Sequence, residues 1–461
     1  MPIALDHVVW KKIISFWTLP SNSWYLLLFI SIAIGSITFD STIVKFIAVG
    51  FKQMPTLYNI YAFLALSMIF VLCNIVMLVT VKKNSIKDEV HLRRFHKIIS
   101  LTQYSIFVVF LTIIVQMFLL RNYSILLLYA GVYLSHIVSI IFVTLLVVKF
   151  IRWYRSNPNS MVLIYSISFS TIISTVIISL FYLTRQFSLH QFGWSIRPWR
   201  IHDSLMSLPG SEISNSIGIP LDILSLISFV LTWIASVILL QRYRERLGKR
   251  RYWIIMCIPL VYFIFPFELY FADFFNPLLN TSPIIFGTLE VLIFSATKQV
   301  GAVLFALVFI TASIIIKPPK MRQAMAFTGI GTALLFSSLE TDSLIYAVYP
   351  PYGLVTISFM SIGSYLLYRG FITSSRFVSQ DNEIRKEFRK SAESQLDLLR
   401  VIGVSQMELQ LKRTFKNVWE RSKSLQNDEI YEPDEEDVKI MVRDIINEIH
   451  NKKPRKTELD T

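Results

Sequence analysis

The residues whose types could do chemistry are few, and most of them carry charge. Glu268, Asp273, Glu290, Glu340 and Asp342 are carboxylates, and Lys298 joins them once the hydrophobic runs are laid out. Oxygens of that kind, with an ammonium as internal counter-ion, would hold a cation or a polar ligand at one membrane face. Solvated loop ends are the plainer account of the same residues. His136, Gln116 and Asn74 lie nearer the middle of apolar runs. A lone His in such a place is more often hydrogen-bonded to a neighbouring helix than a ligand. There is no HExxH, no paired HxxxH and no Cys/His set, so no metal ligation is expected. GxGxxG, GxxxxGK[ST] and GxSxG are absent as well, and no catalytic residue or cofactor is expected. Cys73 and Cys257 both fall in apolar runs, which leaves no disulfide framework.

The elements that must position these groups are hydrophobic. Of the 461 residues 54% are hydrophobic and 16% charged, with a mean hydropathy of +0.54. A soluble domain carries about 25% charged residues. The expected fold class is therefore all-α: a polytopic α-helical membrane protein of about ten transmembrane helices with a small helical cytoplasmic tail. A run of about 20 apolar residues crosses the hydrocarbon as a helix, and barrel-type alternation is missing. Candidate spans lie near 23–42, 59–81, 99–120, 124–150, 160–183, 221–240, 253–271, 287–316, 324–339 and 351–368. The first is weak where Asp40 and Lys45 intrude, and the ninth is short. Residues 1–371 form the expected membrane domain and 372–461 the tail.

The formal net charge is +14. Lys/Arg and Asp/Glu nearly balance from Arg376 onward, so the excess sits between the hydrophobic runs. Loop 82–98 holds Lys82, Lys83, Lys87, Arg93, Arg94 and Lys97, and loop 241–252 holds Arg242, Arg244, Arg246, Lys249, Arg250 and Arg251. Smaller sets follow the fourth and eighth runs. These are alternate loops, so ten spans put them all on one side, with both termini in the cytoplasm of a cell-membrane protein. A miscount of one span would split them across two faces. The same pattern argues against a nucleic-acid partner. On the outer side, loop 184–220 interleaves Phe187, Phe192, Trp194 and Trp199 with Arg and His, which suits the headgroup level or a lid.

The tail reads as helices. Ser379 or Asp381 is expected to cap one beginning near Asn382. Val404, Met407, Leu411, Phe415 and Val418 recur at coiled-coil spacing over about two heptads. Pro433 opens a last helix whose apolar stripe includes Val442, Ile445 and Ile449. Such stripes must be covered, by the protein's own body, by a second copy or by a cytosolic partner.

The stretch YPPYGLVTISFMSIGSYLLYRGF (349–371), followed by RFVSQDNEIRKEFRKS (376–391), resembles uncharacterised multi-pass membrane proteins of ammonia-oxidising archaea. The layout as a whole is similar to the membrane sensor half of a receptor kinase without its kinase. The resemblance implies a cell-membrane location and carries over no functional residues. A sensor or signalling adaptor, receiving an outer-face signal and passing it to a cytosolic partner through the tail, is the expected function. A secondary transporter with inverted halves of five spans each is the alternative. A membrane enzyme would need a catalytic constellation that the sequence lacks.

Overall fold

The structure is a computed structural model that describes residues 22–48, 56–85, 90–189, 195–196, 211–241, 243–264, 296–339, 349–390 and 394–425, with the isolated positions 282 and 285. Apart from a two-residue ladder, its regular elements are helices. They are α1 (Asn22–Ala48), α2 (Thr56–Ser85), α3 (Val90–Leu120), α4 (Ile125–Ser156), α5 (Ser160–Leu189) and α6 (Ser211–Leu240). Then come α7 (Tyr243–Leu247), α8 (Lys249–Ile264), α9 (Thr297–Ile315), α10 (Pro319–Ser337), α11 (Leu354–Gln380), α12 (Asn382–Lys390) and α13 (Ser394–Leu425). The ladder pairs Tyr123 with Ile196 and Ser124 with Ser195, antiparallel.

Seven of these helices are long and apolar enough to cross a membrane: α2, α3, α4, α5, α6, α9 and α11. In lipid every backbone N–H and C=O needs an internal partner, and a helix supplies all of them within one segment. Hydroxyls inside these helices bond back to their own carbonyls, as in Ser67 to Phe63 O (2.8 Å) and Thr112 to Val108 O (2.8 Å). On α3 the large apolar residues Ile98, Leu101, Val108, Leu111 and Val115 share one outward face, with Leu101 69% and Leu111 63% exposed. A soluble protein would bury such a stripe, so its medium is hydrocarbon. The chain is an all-α, multi-pass membrane protein.

By the same measure the other sites expected for spans carry less. In α1 the described apolar stretch is Ile30–Val44, the described part of α8 has 16 residues, and α10 opens on the polar Lys320, Arg322 and Gln323. The rest of α10 is enclosed by its neighbours. Glycines two apart on a helix face nearly opposite ways. Gly329 lies against Ala306 O and Ile310 of α9, and Gly331 against the Leu367 backbone and Gly363 O of α11. A helix held between two others at backbone contact has little lipid-facing surface and does not need apolar side chains there.

At the centre stands α11. Its most apolar 18-residue stretch is wholly buried, enclosed by α10 and α4 with α1, α2 and α3 completing the wall. At about 1.5 Å per residue its 27 residues run about 40 Å. It continues unbroken past 368, the expected end of the tenth span, and its last turns meet α12 and α13.

Candidate functional site

The axis of the site is α11, a helix of Ser, Thr, Gly and Tyr that no lipid touches. Its N-terminus follows Tyr349-Pro-Pro-Tyr-Gly353, in which the Tyr349–Pro350 peptide is cis and Gly353 takes a left-handed φ of 87°. A β-carbon would be strained at Gly353. The first N–H groups of a helix lack partners within it, and Gly353 offers no side chain to cap them. The cap comes from α1 instead. Asp40, 0% exposed, accepts from Gly353 N at 3.1 and 3.0 Å, from Thr356 N at 3.1 Å and from Thr356 Oγ1 at 2.7 Å. The positive end of the helix dipole faces the carboxylate. Tyr352 donates its hydroxyl to Asn59 O of α2 at 2.7 Å.

Further along, polar groups from three helices converge on α11. Gln103 Nε2 of α3 donates to Ser361 Oγ at 2.6 Å, and Ser135 Oγ of α4 to Ile357 O at 2.5 Å. Nearer its C-terminal end, Arg369 is 2% exposed and its Nη1 stands 3.4 Å from Tyr365 Oη, which is 3.5 Å from His96 Nδ1 of α3. At the C-terminus Arg385 of α12 donates to Val378 O and Ser379 O, covering carbonyls that the helix cannot satisfy itself. Asp381 caps α12 through Glu383 N and Ile384 N.

The tail helix α13 closes this end. Gly403 meets Val378 so closely that a β-carbon would overlap it. Trp153 Nε1 of α4 donates to Gln406 Oε1 at 3.1 Å, and Ser156 Oγ donates to Glu408 Oε2 at 2.6 Å. Lys412 pairs with Glu408 at 3.1 Å. Helix α13 also touches α5, α6 and α9, so with α4 and α11 it packs against five helices of the bundle.

The residues singled out in the sequence fall as follows. Lys298 donates to Leu339 O at 3.2 Å, joining the start of α9 to the end of α10. Glu268, Asp273, Glu290, Glu340 and Asp342 lie outside the described residues, as do Val442, Ile445 and Ile449. In α13, Met407 is buried, while Val404, Leu411 and Phe415 are half-buried. His136 bridges α4 and α5, with Nδ1 2.9 Å from Val132 O and Nε2 3.4 Å from Ser179 Oγ. Gln116 Oε1 accepts from Ser124 N at 2.9 Å and so ties the α3–α4 turn. Among the described residues no group of three or more His, Cys, Asp or Glu could hold a metal ion.

A lateral groove of about 560 Å³ between α1 and α9 is lined by Ser31, Gly35, Thr38, Phe39 and Val303. Thr38 donates back to Ile34 O and Thr42 to Thr38 O, which turns the lining towards acyl chains rather than a polar ligand. Sequence reasoning met Asp40 only as a charge intruding on a span, and missed Arg369, Gln103 and the Trp153–Gln406 pair. The signal for the first was its awkwardness: a carboxylate in an apolar run must find donors somewhere. No family model matches the chain, and neither does any curated protein or solved structure.

Proposed function

We propose that this protein is a membrane-embedded sensor or signalling adaptor in which α11 couples the two faces of the bundle. The observation that carries the reading is the continuity of one enclosed helix, held by Asp40 at its start and passing through α12 into a tail helix clasped by Trp153 and Ser156. A rod that lipid cannot reach responds to shifts at its ends, and packed cores convert small shifts into discrete rearrangements. The bundle has ten spans, the Lys/Arg-rich connections and both termini face the cytoplasm, and the tail unit 372–461 hands the signal to a cytosolic partner or a second copy. Its last stripe, with Val442, Ile445 and Ile449, is the surface for that partner. An outer ligand acts near the start of α11, where Lys298 and the carboxylates Glu268, Asp273, Glu290, Glu340 and Asp342 belong to the same face.

The test is hydrogen exchange on the intact protein in detergent, comparing the parent with Asp40→Asn. Loosening the outer cap should raise exchange of the amides in 394–411, far from the substitution. Unchanged tail protection, with exchange raised only around 353–360, sinks the relay. Secondary transport is the second reading, supported by the buried hydroxyls of Ser337 and Ser338, which have no partner at the end of α10. Uptake of a solute by vesicles carrying the purified chain would favour it.

A further inference from the structure

Helix α13 changes character halfway along. From Leu396 to Glu408 it is largely enclosed, with Leu396, Leu399, Ile402 and Met407 buried. Beyond Lys412 it opens. Arg413 and Lys416 are exposed and Val418 is 60% exposed, while Leu411 and Phe415 stay half-buried. Leu411, Phe415 and Val418 are spaced four and three apart, which makes them one stripe on a helix. Lys412 and Lys416, four apart, run beside that stripe. The sequence of the helix to Leu425 adds Arg421 and Lys423 against a single acid, Glu420.

A second strand in a coiled coil is poorly served here. The seam it would need includes Met407, which the bundle has already buried, and what remains is too short for a stable two-stranded coil. The nearest apolar phase is the bilayer that the bundle crosses, since α13 packs against α4, α5, α6, α9 and α11 and meets the C-terminal turns of α4 and α11. An apolar stripe flanked by Lys and Arg is how a helix lies in the headgroup plane, and its cations complement anionic lipid. We propose that the Leu411–Leu425 half of α13 rests on the bilayer surface at this end of the bundle and binds anionic headgroups. The inference rests on the chain being embedded in a bilayer and not on the relay along α11.

The experiment uses the full chain with Cys73→Ser and Cys257→Ser, and Val418→Cys carrying an environment-sensitive dye. It is placed in nanodiscs of phosphatidylcholine alone or mixed with phosphatidylglycerol. In the mixed discs the emission should shift to the blue, be quenched by spin-labelled lipid and return towards the water value as salt is raised. The combined Lys412→Gln, Arg413→Gln and Lys416→Gln variant should lose the shift. Should that variant not fold, the salt titration of the parent decides alone. A water-like dye in both discs overturns the proposal. So does a blue shift that is equal in neutral discs, or one that appears only when two copies share a disc. The hydrogen exchange of 394–411 is read separately, so failure here leaves the relay standing and the reverse also holds.

Discussion

A carboxylate shut inside a helical bundle is tolerated only when donors surround it, because the desolvation penalty is several kcal/mol. Asp40 meets that condition with two backbone N–H groups and one hydroxyl at the start of α11. Removing it leaves those donors buried and unpaired, each at about 1–3 kcal/mol. Asp40→Ala should therefore lower the melting temperature of the purified protein clearly, by the equivalent of at least about 3 kcal/mol. Asp40→Asn keeps one acceptor oxygen and should fall between the two. An alanine variant melting with the parent would mean that the helix finds its cap elsewhere. None of this pairing is legible in the sequence, since Asp40 and Gly353 are 313 residues apart. The residues whose partners lie within a few positions were another matter. Asp381 is a short acidic residue just before Asn382, and it caps α12 as its position implies.

At the scale of elements, what decides a helix's composition is what surrounds it. Helix α3 faces lipid along one side and its hydrophobic run stands out in the sequence. Helices α10 and α11 face mainly protein, so Gly, Ser and Thr take places that Leu and Ile hold on a lipid-facing helix, and in α11 the apolar run ends early. That is why composition stops the last span near 368 although the helix continues to Gln380, with Arg369 buried inside it. The spacing of Gly329 and Gly331 is weak as a packing motif for two helices, yet it suits a helix gripped on both sides. Gly331→Ala would drive a methyl into the Leu367 and Gly363 backbones and should cost about 1–3 kcal/mol. Gly35→Ala is the control, because nothing stands within 4 Å of its added carbon. Helix propensity makes it neutral or stabilising, by up to about 1 kcal/mol. Parallel thermal melts of the two variants check this. Equal destabilisation would show that the α10–α11 contact is looser than the backbone approach implies.

Across the whole molecule, the distribution of charge and the stacking of helix ends are independent, and they agree. Trp153, Ser156 and the end of α11 meet the tail helix, which puts Arg152, Arg155 and the tail at one end of the bundle. Up-and-down connection brings Arg93, Lys249, Arg250 and Lys320 to that end too, while Arg121 belongs to the other, near Tyr123 and Tyr349. If the basic end is cytoplasmic, the sidedness is testable one residue at a time. Arg121, Arg93, Arg155, Arg250 and Lys320 are all exposed, so a cysteine at any of them is accessible to reagent from its own side. In a background with Cys73 and Cys257 replaced, a membrane-impermeant maleimide added to intact cells should label Arg121→Cys. The other four should react only after the membrane is opened. Labelling of all four without Arg121 would invert the molecule. Labelling split among the four would mean an odd number of crossings between them, and the ten-span count, with the cytoplasmic tail that follows from it, would fail.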